Sequence, residues 1–377
     1  MSQASIRRVR TPAERRAYLS LVGAPYADNP YWVHPDVRIL KGLLRGKTWL
    51  AARSEWQALL AEEEGQPVAA LTAFLHRSFE EKHGRKIGTI GFFEALPNHD
   101  SAVDALFREA ESWLASRGAT RVWGPMNGHI LYGFGCLENH YTERPFAGMP
   151  YNPPEYPGHW WRHHYRQAPS FYSYRIDLTS DRNRAAIERA RDDPRLGQQP
   201  QIALRPADLG SWRREVEIFC DLHNSAFADN WGNAPLSHAE IWELLGPARL
   251  TADPELFWIA EAGSKAVGLV LCMPDLNEVL AKAAVAPGTL RASFALLRHR
   301  RRIKRGGLLV LGVLREARGR GLGRVLAARA LERMIERGMT DVEYCLVLEN
   351  NIPSQRVARR LGAEQTKRYL MFEKLLE

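Results

Sequence analysis

The sequence predicts an α/β protein of two domains in which short strands alternate with amphipathic helices. Three observations carry this expectation. At 377 residues the chain exceeds the size at which one hydrophobic core stops growing. Its 45% hydrophobic and 25% charged residues can fill sizeable cores, and long polar tracts are absent. Runs rich in β-branched and aromatic residues recur between segments whose apolar residues are spaced three and four apart.

The first half opens with a polar, helix-like segment. Asn29-Pro30-Tyr31-Trp32-Val33-His34-Pro35 follows, and its prolines and aromatics suit an ordered loop. Thr48–Ala52, Pro67–Phe74 and Ile87–Glu94 are expected strands. In Ser101–Arg117, Val103, Leu106, Phe107, Ala110, Trp113 and Leu114 form one helical face, which Gly118 ends. Arg121–Gly124 is a short strand, followed by an aromatic and proline-rich stretch through Tyr151-Asn152-Pro153-Pro154-Glu155-Tyr156-Pro157. Phe171–Leu178 is the last strand of this half, and Arg182–Arg191 is a connecting helix that ends in the polar stretch 192–201. The boundary therefore falls near residue 180, giving domains 1–180 and 181–377.

The second half restarts with a strand at Gln201–Arg205 and a helix over Leu209–Phe227. Leu256–Ala262 and Ala266–Met273 are apolar runs joined by Gly263-Ser264-Lys265, which suits an antiparallel hairpin. The strand Leu308–Leu314 leads into Arg318-Gly319-Arg320-Gly321-Leu322-Gly323. Val325, Leu326, Ala328, Ala330, Leu331, Met334 and Ile335 then form a helical face closed by Gly338. Asp341–Leu348 is the next strand, Asn350-Asn351-Ile352-Pro353-Ser354 opens a helix running to Leu361-Gly362, and Lys367–Phe372 is a final strand.

No run reaches the roughly 20 apolar residues of a membrane span, and the N-terminus lacks the apolar stretch of a signal peptide, so a cytoplasmic protein is expected. Cys136, Cys220, Cys272 and Cys345 are scattered among apolar neighbours, as buried free thiols are. The net charge of +9 favours an anionic partner: a polyphosphate cofactor, an anionic lipid surface or nucleic acid. His159, His163 and His164 lie close in sequence without the further ligands a metal needs, and no metal is expected.

Strand, glycine turn and helix in that order make an anion cradle, because a helix N-terminus exposes unpaired N–H groups and a partial positive charge. Glycines also serve tight turns and close packing, so the turn alone does not decide. It lacks the Lys-Ser/Thr ending of a P-loop, and it does not lie in the first strand-helix-strand unit of a dinucleotide fold. Together, Val313-Leu314-Arg315-Glu316-Ala317-Arg318-Gly319-Arg320-Gly321-Leu322-Gly323 and Asn351–Gly362 resemble the GCN5-related N-acetyltransferase (GNAT) superfamily. The resemblance implies that the backbone of Val313 and Leu314 pairs with the pantetheine arm of acyl-coenzyme A. It implies as well that the amides of Gly319, Arg320, Gly321, Leu322 and Gly323, opened by Arg318, hold its pyrophosphate, with Asn351 and Ser354 beside the arm. Ala358 stands where many members carry the tyrosine that protonates the leaving thiolate.

Gly91-Phe92-Phe93-Glu94, Gly124-Pro125-Met126-Asn127, Tyr151-Asn152-Pro153-Pro154, Asn230-Trp231-Gly232, Pro274-Asp275-Leu276-Asn277 and Leu348-Glu349-Asn350-Asn351 extend the resemblance. They are similar to a bacterial family of paired GNAT-like domains that also resembles the bacterial ceramide synthases. Its implied fold is two tandem GNAT-like domains, each a mixed, mostly antiparallel sheet flanked by helices. Ala95-Leu96-Pro97-Asn98-His99-Asp100 contains no glycine, so the first domain is expected to be a degenerate copy. Trp123, Tyr132, Phe134, Tyr151 and Tyr156 would line its acceptor pocket or simply form its core.

The function expected is acyl transfer from acyl-CoA to a primary amine, with a long-chain acyl group and a sphingoid base as one pairing. An acetyltransferase for a small amine or peptide and a non-catalytic acyl-CoA-binding protein are the alternatives. Glu343 and Glu349 share parity in the strand Val342–Leu348 and are candidate bases, or they are solvent-facing or paired glutamates. Tyr369 is a candidate acid, and Glu94 and Asp275 are lesser candidates. Arg298, Arg300, Arg301, Arg302, Lys304 and Arg305 follow the apolar face of Leu290–Leu297. They suit peripheral contact with the anionic inner face of a membrane, cofactor phosphates, or solvent, and nucleic acid is the disfavoured partner.

Overall fold

The computed structural model describes residues 4–194, 202–250, 252–283 and 286–376, so Gln201 and most of the expected polar stretch 192–201 lie outside the described residues. The chain divides into two compact units. One comprises Met1–Ser170, Val285–Thr289 and Arg368–Glu377, the other Phe171–Ala284 and Leu290–Lys367.

The first unit contains β1 (Ser5–Arg8), β2 (Ser54–Glu63), β3 (Gln66–His76), β4 (Ile87–Ala95), β5 (Arg121–Gly124) and β6 (Cys136–Leu137). β1 to β4 pair antiparallel in sequence order, whereas β4 and β5 run parallel through Ile87↔Arg121, Gly88↔Val122 and Thr89↔Trp123. The crossover between them is helix α1 (Asp100–Ser116). Its buried Val103, Leu106, Phe107, Ala110 and Leu114 join Leu59, Leu71 and Ile90 of the sheet in one core. Each such leucine, fully withdrawn from water, stabilises the fold by ~1.5–3 kcal/mol.

Thr48–Ala52 is not a strand. Thr48 accepts from the Ala51 N–H at 3.1 Å and caps a helical turn over Trp49–Ala52, and the strand begins only at Ser54.

The second unit contains β7 (Arg166–Asp177, from Phe171 onward), β8 (Ile202–Pro206), β9 (Phe257–Ala262), β10 (Lys265–Pro274), β11 (Arg305–Val313) and β12 (Asp341–Leu348). Its ladder repeats the first. β8 to β11 pair antiparallel, β11 and β12 run parallel, and β7 pairs antiparallel with β12. Its helices include α2 (Trp212–Ala226), α3 (Leu290–His299), α4 (Leu322–Glu336) and α5 (Ile352–Arg360), with further helices at Asp181–Arg191, where a connecting helix was expected, His238–Leu245 and Asn277–Ala283; α4 is the crossover between the parallel strands.

The repeat extends to single atoms. A Cβ on Gly306 would lie 2.6 Å from Met334 Sδ of α4, and a Cβ on Gly88 would lie 2.8 Å from Leu114 of α1. Each parallel pair thus lets its crossover helix approach over a glycine.

Strand β13 (Glu364–Leu375) follows, and its residues from Arg368 belong to the first unit. Phe372↔Gly124 and Leu375↔Arg121 pair it antiparallel with β5, and Tyr369↔Leu137 pairs it with β6. The compact units differ from a cut at residue 180 in three places: Phe171–Leu178 pairs forward with β12, the short segment Val285–Thr289 belongs with the first unit, and the last strand returns to β5. Hydrophobic pattern marks the first and last of these as strands but carries no information about a partner that far along the chain.

Candidate functional site

The site begins where two parallel strands part. β11 and β12 are paired from Arg305↔Asp341 to Leu308↔Tyr344 and no further among the described residues. The ladder to β10 skips Leu309, between Leu271↔Val310 and Cys272↔Leu308, so β11 bulges at the fork. Beyond it the Leu314 N–H donates to the Val267 carbonyl at 2.8 Å, toward β10. Backbone groups alternate along a strand, so those of Leu311 and Val313 face the open side. The Leu314 carbonyl accepts from Ala317 N–H at 2.9 Å. Of the two residues expected beside a ligand arm, Leu314 thus has both backbone groups engaged within the protein, while the Val313 carbonyl accepts from Arg318 at 3.0 Å and its N–H faces the open side.

The fork opens onto the glycine turn. Gly319 and Gly321 both have φ +81°, a left-handed conformation that L side chains rarely adopt, and Gly321 caps the fifteen-residue helix α4. Among the described residues, no backbone carbonyl accepts from the N–H groups of Gly319, Gly321, Leu322 or Gly323. Nothing lies within 4 Å of a Cβ built on Gly319. Arg318 holds the turn rather than reaching outward: its guanidinium donates to the carbonyls of Val313 (3.0 Å) and Ala226 (2.9 Å). Arg320 is exposed beside it. Amides without a backbone acceptor and a helix dipole, with the exposed Arg320 beside them, fit a diphosphate.

On the other side of the fork, Asn351 caps α5 by accepting from Ser354 N–H at 3.2 Å. The Ser354 hydroxyl lies 2.6 Å from the Tyr344 hydroxyl. Tyr344 is the residue opposite Leu308, the last pair before the strands part, and burial holds its phenol well above the usual range, so it stays protonated. Sequence reasoning passed over Tyr344 because an aromatic in a strand reads as core. The hydrogen bond to Ser354, in the first turn of the next helix, has no sequence signature. Ala358 is fully buried and supplies no acid.

The three candidate catalytic side chains are not brought together at the fork. Glu343 is 3% exposed, and its Oε2 accepts from Lys367 Nζ at 2.9 Å and from Arg305, which also faces Asp275 at 3.4 Å. Both cations thus bind the one oxygen of this buried carboxylate. The shared parity of Glu343 and Glu349 is broken at Leu346, whose φ of +51° and the register shift between Tyr344 and Val347 turn the strand. Glu349 is half-buried beyond the strand end, its carbonyl accepting from Gln355 at 2.6 Å. Tyr369 is fully buried in the first unit, opposite Leu137.

The first unit repeats the fork and seals it. β4 bulges at Phe92, which has φ +46°. There the Met126 N–H donates to the Ile90 carbonyl at 2.8 Å, and the Phe92 N–H donates to Asn127 Oδ1 at 2.7 Å. The backbone edge left open in β11 is thus taken by the protein's own chain. Trp123, Tyr132 and Tyr156 are buried, whereas Phe134 and Tyr151 are half-buried. Glu94 accepts from the hydroxyls of Tyr156 (3.0 Å) and Tyr26 (3.2 Å), and burial pushes its carboxyl up to about 8.

His163 bonds Asp104 at 2.9 Å and His159 faces Asp100, so the histidine cluster is engaged in separate pairs. Donor atoms of Cys220, Asp221 and His238 lie within 4.8 Å of one another. His238 and Asp221 pair at 2.8 Å on the surface, and the Cys220 thiol, pushed up to about 12 by burial, donates to the Leu236 carbonyl. That donor set does not suit a metal.

Residues 216–363 match the family described as Acetyltransferase (GNAT) family. A bacterial ceramide synthase of Caulobacter vibrioides (strain NA1000 / CB15N) is 28% identical over 98% of this chain and 96% of its own. Protein YghO of Escherichia coli (strain K12) is 26% identical over 95% and 92%. Among solved structures, a tandem GNAT protein from the clavulanic acid biosynthesis pathway superposes with TM-score 0.59 at 14% identity, covering 99% of this chain and 98% of that one. A GCN5-related N-acetyltransferase from Sphaerobacter thermophilus gives 0.54 at 17%, covering 99% and 96%. The shared fold is two GNAT-type sheets in one chain.

Proposed function

We propose, from the match of residues 216–363 to the GNAT acetyltransferase family, that this chain is an N-acyltransferase that moves an acyl group from acyl-CoA to a primary amine. The observation that carries this is the open fork leading to the amides of Gly319, Gly321, Leu322 and Gly323, which have no backbone acceptor among the described residues. In the proposed complex the pantetheine arm pairs with the backbone of Leu311 and the N–H of Val313, and the diphosphate sits on the turn. Arg318 positions the turn, and Asn351 and Ser354 order the start of α5 beside the arm.

The amine nitrogen attacks the thioester carbonyl, a C–N bond forms and the C–S bond breaks. The proton on nitrogen leaves to water, the thiolate takes a proton from the Tyr344 hydroxyl, which Ser354 orients, and a proton from water restores the phenol, so the proton lost by nitrogen balances the one gained by sulfur. Orientation of the two substrates supplies much of the rate.

The acceptor we favour is a sphingoid base with a long acyl chain, supported by the near full-length relation to a ceramide synthase. Release of free thiol by purified protein, measured across an acyl-chain-length series with sphinganine and with small amines, tests it. Preference for long chains and sphinganine supports the lipid pairing. Preference for acetyl and a soluble amine supports the second reading, which the family's acetyltransferase description favours. Tight CoA binding without transfer to any amine would remove the enzymatic assignment.

A further inference from the structure

From Val279 to Arg315 the sequence contains no Asp or Glu, while Arg291, Arg298, Arg300, Arg301 and Arg302 fall within it. Helix α3 lies in this stretch. Leu290, Phe294 and Leu297 on α3 are 91%, 67% and 65% exposed, and Ala292 is 1% exposed. At 3.6 residues per turn, Leu290, Phe294 and Leu297 fall within an arc of about 60°, with Ala292 on the opposite side. The helix thus buries a small residue and presents three large apolar side chains to water.

Arg291 and Arg298 flank that stripe, and Arg300–Arg302 continue it as an exposed turn. Ile303, 2% exposed, then fixes the chain back into the core. Two cations of the sequence-based patch drop out. Lys304 Nζ donates to the Gly338 carbonyl at 2.9 Å, and Arg305 is engaged with Glu343 inside the protein.

We propose that α3 and Arg300–Arg302 dock the protein on an anionic lipid bilayer, with Leu290, Phe294 and Leu297 among the acyl chains and the arginines at the phosphates. The pairing of chemistries selects this occupant. A polyanion in water, such as nucleic acid, would use the arginines and leave the apolar stripe exposed. A neutral apolar partner would leave the arginines unpaired. Only a lipid interface offers both environments a side-chain length apart. Which amine accepts the acyl group has no bearing on this surface.

Cosedimentation of the full chain with vesicles of phosphatidylcholine alone, or of phosphatidylcholine with phosphatidylglycerol, tests it. The expected result is binding to the anionic vesicles that weakens with salt and falls at least about tenfold in Leu290→Ser/Phe294→Ser/Leu297→Ser and in Arg298→Glu/Arg301→Glu. All five positions are exposed, so circular dichroism melts should match the parent. Equal binding to neutral vesicles, undiminished binding of either variant, or an apolar stripe that instead holds two copies together in size-exclusion chromatography would overturn the proposal.

Discussion

Arg305 and Glu343 form an ion pair in the interior of the second unit, from adjacent parallel strands, and Lys367 reaches the same carboxylate oxygen at 2.9 Å. The group that sequence parity offered as a base is thus a structural anion balancing two cations. Glu343→Gln should cost about 3–5 kcal/mol of unfolding free energy, because it removes the anion shared by Lys367 and Arg305 and leaves Arg305 only its longer contacts to Asp275 (3.4 Å) and Asp341 (3.8 Å). Urea titration measures that loss. The turnover of the fraction still folded should keep its pH profile, whereas a true base would lose it.

Gly321 holds a left-handed conformation at the start of α4, where no backbone carbonyl among the described residues accepts from its amide. Gly321→Asp adds backbone strain of roughly 1–2 kcal/mol and a negative charge facing a diphosphate, so CoA affinity should fall at least about tenfold. Calorimetric titration with CoA reads this directly, and an unchanged Kd would place the cofactor elsewhere.

Tyr344→Phe removes the hydroxyl bonded to Ser354 but keeps the ring in the strand. Turnover should drop roughly a hundredfold with CoA affinity intact. A residue serving only as core would instead lower the melting temperature and leave turnover per folded molecule alone.

Glu94 titrates at about 8 in the folded state against an ordinary 4.5, with burial as the cause. The folded protein therefore binds one more proton than the unfolded chain between those values, and this group's contribution to stability falls as pH rises from 4.5 to 8. The slope approaches ~1.4 kcal/mol per pH unit. Glu94→Gln should flatten that limb, as followed by thermal melts from pH 5 to pH 8.

His223, whose Nδ1 has no hydrogen-bond partner among the described residues, is pushed by burial down to about 4 from 6.5. Its sign is opposite. The unfolded chain binds the extra proton between pH 6.5 and 4, so stability is lost as pH falls through that window. His223→Phe should retain more of its stability at pH 5 than the parent, measured against each protein's own value at pH 7.

Local chemistry made much of the architecture legible. The spacing in Ser101–Arg117, the Gly263-Ser264-Lys265 hairpin and the order strand, glycine turn, helix all reflect rules that act within a dozen residues. Thr48 misled because a β-branched residue beside a tryptophan suits a strand, while its hydroxyl was needed as a helix cap. Glu343 and Glu349 misled because counting by two assumes a regular strand, and Leu346 turns the backbone. Tyr344 and the partner of β13 were out of reach for one reason: each depends on a residue brought near only by the finished fold.

The pairing of β5 with β13 joins residues 252 positions apart, as between Arg121 and Glu373. A ribosome would therefore release nearly the whole chain before the N-terminal sheet could acquire its final strand. Until then β5 keeps a bare edge, and the nascent protein is exposed to illicit strand addition by its neighbours for most of its synthesis.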